Sequence, residues 1–188
     1  MFKLHCSILT MYLLLTSAVF ANQPALSPYV GQERHEIKAL SPEEIKSYLA
    51  GKGAGFAKAA ELNHYPGPSH VLELSQQLQL SPEQHARTQK QFDSMQVEAM
   101  RLGKTLVAQE QALDKLFATG TISKDTLQAT LENIATLQGQ IRQVHLAAHL
   151  EQRNILTLEQ VRRYDALRGY NKPASATAEG GEHQHRGH

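Results

Sequence analysis

The sequence predicts an all-α protein built around one long antiparallel helical hairpin with short flanking helices. Three observations carry that expectation. Apolar residues recur at alternating steps of about three and four over residues 82–118 and again over 124–155, the period of one buried helix face. A glycine-containing break, "ATGTIS", separates the two runs. Leu, Ala, Gln and Glu dominate, tryptophan is absent and aromatics make up only 6% of the chain, so helix formers are abundant and the side chains of a wide sheet core are not.

In chain order, residues 1–21 read as a secretory signal peptide. Lys3 gives the positive start, "SILTMYLLLTSAVF" the short apolar stretch, and Val19-Phe20-Ala21 the cleavage site. Cys6, the single cysteine, leaves with it, so the mature chain has no disulfide or thiolate and must be held by packing. Removing Lys3 from 19 basic residues leaves 18 against 18 acidic ones. A neutral chain without a basic block offers nucleic acid no footing. Residues 22–66 read as a flexible leader, aperiodic to residue 38, followed by a short helix and a Gly-rich linker. Ser41 caps the helix, Pro42 suits its first turn, Glu44 closes a capping box, and Gly51, Gly53 and Gly55 end it. No strand precedes these glycines and no Gly-Lys-Ser/Thr follows, so they make a linker and not a phosphate loop.

Residues 67–169 form the hairpin domain. "HYPGPSHVLELSQQLQL" gives a rigid turn and an amphipathic helix over about 69–78. "LSPEQ" then opens the first long helix, with Ser81 as N-cap, Pro82 at the first position and Gln84 returning to the cap. Its seam runs through Phe92, Met95, Ala99, Leu102, Leu106, Leu113 and Leu116, broken only at Gln109. At 1.5 Å per residue it is roughly 55 Å long. The second long helix runs on Leu127, Leu131, Ile134, Ile141, Ala148 and Ile155, and "LTLEQ" opens a last short one with Thr157 and Gln160. Residues 170–188 are small, polar and disordered by composition. A lone hairpin leaves apolar surface wet, so the flanking helices, a second copy, or both must cover it, and a homodimer is expected.

The hinge motifs Leu80-Ser81-x-x-Gln84 and Leu156-Thr157-x-x-Gln160 bracket a long hairpin behind a signal peptide. In this the chain resembles the Spy/CpxP family of periplasmic LTxxQ-motif proteins over roughly residues 67–168. From "AELNHYPGPSHVLEL" onward it is also similar to relatives described as periplasmic heavy-metal sensors or resistance proteins. The resemblance implies a periplasmic, cradle-shaped dimer that acts in envelope stress without ATP. One branch binds unfolding envelope proteins. The other binds divalent transition metals and reports them to a membrane-bound regulator. Leu80, Ser81, Gln84, Leu156, Thr157 and Gln160 are then structural, packing and capping the hinges.

Enzymatic chemistry finds no support: there is no nucleophile elbow, HExxH motif or cofactor loop, and Glu98, Glu110, Asp114 and Glu132 are spread as solvated helix faces are. The sharper question is "VHLAAHL", which sets His145 and His149 one turn apart on one face. Two readings stand. With Gln138, Arg142 and Gln152 the pair makes a polar shoulder beside the apolar stripe, an ordinary solvated boundary. Alternatively it shares one Zn²⁺, Ni²⁺, Co²⁺ or Cu²⁺ ion with further ligands, because two are too few for tight binding. Folding about residue 120 sets 145–149 opposite about 92–96, which makes Asp93 a candidate; His64, His70 and Glu73 are others. Met95 and Met100 are the only methionines of the mature chain, so a soft Cu(I) site is not expected. His183, His185 and His188 in the tail would capture metal weakly. Lone His35 and His85 read as surface residues. Helices rich in Leu and Ala supply the apolar face that client binding needs and equally the face that a dimer buries. An adaptor for a membrane-bound regulator, binding neither metal nor client, is the alternative.

Overall fold

The computed structural model describes residues 26–170; the expected signal peptide and the tail histidines His183, His185 and His188 lie outside them. Among the described residues every regular element is helical. After a 3₁₀ turn at Gln32–Arg34 come α1 (Pro42–Leu49), α2 (Lys58–Glu61), α3 (Pro68–Glu73), α4 (Pro82–Ala118), α5 (Lys124–Ile155) and α6 (Leu158–Arg168).

The caps explain where the helices start. Ser81 Oγ accepts from the Gln84 amide at 3.1 Å while Gln84 Oε1 accepts from the Ser81 amide at 3.0 Å. Thr157 and Gln160 repeat this at 3.2 and 2.9 Å. Ser41 and Glu44 do the same on α1, and Ser123 with Thr126 on α5. The two motif glutamines also do something a cap does not require. Gln84 Nε2 donates to Gln160 Oε1 at 2.8 Å and to the Ile155 carbonyl at 2.9 Å; Gln160 Nε2 donates to Gln84 Oε1 at 3.0 Å and to the Leu78 carbonyl at 3.2 Å. The amides pair reciprocally and close the open end of the hairpin. Further along, Gln152 Nε2 donates to Thr88 Oγ1 at 3.1 Å with both residues fully buried, which fixes the antiparallel register of α4 against α5.

The flanking helices cover the hairpin as its apolar surface demands. α1 and α3 pack on α4, and α2 and α3 on α5. One core joins Ile37, Leu40 and Tyr48 to Leu102, Leu106, Ile134 and Ile141; a second joins Val71, Leu78, Leu156, Val161 and Tyr164. α1 crosses α4 at Gly103, where the Tyr48 carbonyl occupies the space a side chain would need. The aperiodic segment before α1, expected to be a flexible leader, is anchored by Ile37 and Leu40 and by an ion pair between Lys38 and Asp114 at 3.1 Å. Two apolar residues are too few to show a period. α3 stops at Glu73 and not near 78, because the chain turns through residues 74–79 to bring Leu78 and Leu80 onto the second core. The α4 stripe passes through Glu110, which is buried and not a solvated acid, while Gln109 stands beside it half-buried. Phe117 and Leu131, toward the 119–123 turn, stay exposed, since two helices alone cannot enclose their shared stripe.

Candidate functional site

On α5, between Ile141 of the first core and Leu156 of the second, the buried face turns polar: His145, His149 and Gln152 are all buried. Gln138 and Arg142, at the other end of the expected polar shoulder, are exposed. The shoulder is therefore no uniform solvated boundary; its second half faces inward. It faces a cleft of about 730 Å³ whose floor is His145 and His149 with Phe92, Met95 and Gln96 of α4 opposite. The Ala50–Gly55 loop forms one wall, and Glu61 of α2 with Gly67 and His70 of α3's approach forms the other. A second, shallower groove of about 350 Å³ between Glu98, Arg101 and Gln140 contains no histidine.

His149 is held by its backbone neighbours. Its Nδ1 lies 2.7 Å from the Tyr65 carbonyl oxygen. A carbonyl only accepts, so Nδ1 carries the proton and, in the neutral ring, Nε2 keeps the lone pair. This is the arrangement by which a second contact orients a ligating imidazole. Space around the ring is tight: a Cβ on Gly67 would come 2.9 Å from Cε1 and 3.0 Å from Nε2. His145 differs. Only 3% exposed, it has an enclosed Nε2 with no hydrogen-bond partner. Burial, and secondarily the neighbouring His149, hold its pKa below the ordinary imidazole value, so the ring stays neutral with a lone pair to give.

Glu61, which sequence reasoning passed over, also lines the cleft. Its Oε1 accepts from Tyr164 Oη at 2.5 Å and Tyr170 Oη at 2.9 Å, with Arg168 Nε at 3.5 Å. Its Oε2 is enclosed without a hydrogen-bond partner and lies 3.8 Å from His149 Nδ1. Burial, followed by the Glu61 carboxylate, pushes the Tyr164 phenol far up, so it remains a donor.

The other candidates are placed less favourably. His70 and Glu73 line the same cleft but bond to each other, Nδ1 to Oε2 at 3.0 Å, and are solvent-accessible. Asp93 is exposed and bonds to Gln89 at 2.8 Å. The hairpin register does bring 92–96 opposite 145–149, yet it is Phe92, Met95 and Gln96 that face the cleft, because one residue along a helix rotates a side chain by about 100°. His64 is drawn away to Asp165, at 2.8 Å. Among the described residues no three His, Cys, Asp or Glu side chains are positioned to share an ion as they stand. Two unpartnered ligand-type atoms, His145 Nε2 and Glu61 Oε2, nonetheless fit the chemistry of a borderline divalent cation.

Residues 52–163 match the family described as heavy-metal resistance, more than half of the chain. The chain belongs to the heavy-metal resistance family. Within it, the chain sits with the Spy/CpxP-like LTxxQ proteins it resembles. The matched span contains both hinge motifs, the cleft histidines and Glu61, and it stops short of Tyr164, Arg168 and Tyr170. No curated protein and no solved structure matches this chain. Among the described residues no helix is long and apolar enough to cross a membrane.

Proposed function

We propose that this heavy-metal resistance protein reversibly binds a divalent transition metal, Zn²⁺, Ni²⁺, Co²⁺ or Cu²⁺, at His145 and His149, and that it does so in the periplasm after export. One observation carries the reading: a buried histidine pair opens on a cleft with one imidazole oriented by the Tyr65 carbonyl and the other left without a partner. Burying an imidazole nitrogen with no partner costs about 1–3 kcal/mol. A bound cation recovers that loss. The family description agrees in kind.

Isothermal titration of the full chain carrying His183→Ala, His185→Ala and His188→Ala isolates this site from the tail. One ion per chain should bind, and His145→Ala or His149→Ala should each weaken it more than tenfold. Absence of binding below about 100 μM metal removes the reading.

A second role rests on a separate observation. Val97, Met100 and Leu150 on the long helices are large, apolar and exposed. They suit a homodimer contact, a membrane-bound regulator, or an ATP-independent hold on unfolded envelope proteins. Aggregation of a denatured model substrate should be suppressed at equimolar protein; no protection at tenfold excess rejects client binding.

A further inference from the structure

We infer that Glu61 is the third ligand of the His145/His149 ion, and that Tyr164 and Tyr170 are positioning residues that hold it there. The inference rests on the metal reading above and adds to it a carboxylate from another helix and the side chains that aim it.

The two oxygens of Glu61 are treated differently. Oε1 is saturated by two phenol hydroxyls, and Arg168 adds its charge at 3.5 Å. Oε2 receives nothing, though it is enclosed beside His149. Most buried side-chain polar atoms find a hydrogen-bond partner. Here one oxygen is bonded from behind and the other is enclosed without a partner, in a residue that lines the same cleft as His145, whose Nε2 is likewise enclosed and unpartnered. Gly67 packs closely between the two groups: the point where its Cβ would sit lies 3.0 Å from His149 Nε2 and 3.7 Å from Glu61 Oε2, so only a residue without a side chain fits there. Two imidazoles and one carboxylate form a ligand set suited to borderline divalent metals, with a further position left for water. Bringing them onto one ion takes movement of side chains within the cleft, since the three do not yet converge.

The tyrosines fit the part of outer contacts that fix a ligand's orientation, whose loss typically costs 10–100-fold in metal affinity. They come from α6 and the residue that follows its glycine cap, 103 and 109 positions beyond Glu61. Ion binding would thus tie α2, α5 and the end of α6 together.

The test uses the full chain with the three tail histidines replaced by alanine, titrated with Co²⁺ and followed by visible absorption, with Zn²⁺ affinity taken by competition. Glu61→Gln, close to isosteric, should weaken binding at least tenfold and change the Co²⁺ spectrum while one ion per chain is retained. Tyr164→Phe should weaken binding about tenfold in the parent but less than twofold in the Glu61→Gln background, and Tyr170→Phe should follow the same pattern more weakly. Unchanged affinity and spectrum in Glu61→Gln would overturn the ligand assignment while leaving the histidine pair standing. Equal losses from Tyr164→Phe in both backgrounds would overturn the positioning role. If the parent itself binds no ion, the fault lies with the metal reading and not with Glu61. Thermal unfolding of each variant separates a folding defect from a site defect, and Glu61→Asp, which keeps the carboxylate, should retain more affinity than Glu61→Gln.

Discussion

Gly103→Ala is a perturbation whose sign the structure reverses. Gly103 lies in the middle of α4, and in an ordinary helix interior replacing glycine with alanine gains about 1 kcal/mol. Here the new methyl would overlap the carbonyl oxygen of Tyr48 and lie 2.8 Å from its carbonyl carbon. Both are backbone atoms, so no rotamer change relieves the clash; α1 must retreat. That retreat loosens Tyr48, Leu40 and Ile37 against Leu102 and Leu106. Overpacking of this kind costs about 1–3 kcal/mol, and losing the burial of one large side chain about 1.5–3 kcal/mol. Set against the helix gain, the net expectation is a loss of about 1.5–5 kcal/mol. Gly139→Ala is the control: it sits on an exposed face of α5 with nothing within 4 Å of the added atom, and should stabilise by about 1 kcal/mol. Urea unfolding of the full chain, followed by far-ultraviolet circular dichroism, measures both. If Gly103→Ala stabilises as Gly139→Ala does, the docking of α1 described above is wrong. The consequence reaches the cleft, because α1 leads directly into the Ala50–Gly55 wall.

Three further outcomes are expected. Gln160→Ala strands the Gln84 amide, the Leu78 carbonyl and the Thr157 amide together, and should cost about 1–3 kcal/mol in the same unfolding assay. Burial raises the Glu110 pKa, so its favourable contribution is present below the ordinary carboxylate value and lost as pH rises; Glu110→Gln should therefore stabilise at pH 7 relative to the parent and lose that advantage below about pH 4.5, as pH-dependent melting would show. His145 titrates low, so the parent should lose stability as pH falls below about 6.5, where the unfolded chain takes the proton first, and His145→Gln should flatten that slope.

The long helices were legible because their signals are local and repeated. A three-four period fixes a helix and its buried face, and Ser81-Pro82-x-Gln84 or Thr157-x-x-Gln160 fixes its start by hydrogen bonds that span three residues. The opposition of 145–149 to 92–96 followed from counting about the turn, and Phe92, Met95 and Gln96 do line the same cleft as the histidines. Asp93 misled because the count gives the level on a helix and not the face. Glu61 was invisible for a different reason. It sits in a four-residue helix with no period, and its partners Tyr164 and Tyr170 lie more than a hundred residues away, so no spacing rule joins them. The reciprocal Gln84–Gln160 pair was hidden likewise: each glutamine was read within its own capping box, and only the folded hairpin brings the two amides together.

The metal reading meets its most direct test in the imidazole nitrogens themselves. Nitrogen-15 side-chain spectra of the full chain at pH 7.5, with Zn²⁺ added to one equivalent, report which ring nitrogens take the ion. His145 and His149 should shift at Nε2 while His149 Nδ1 keeps its proton toward the Tyr65 carbonyl, and His64, His70 and His85 should stay in place. If the first equivalent instead moves only His70 or the tail histidines His183, His185 and His188, with His145 and His149 unchanged, the cleft is not the metal site.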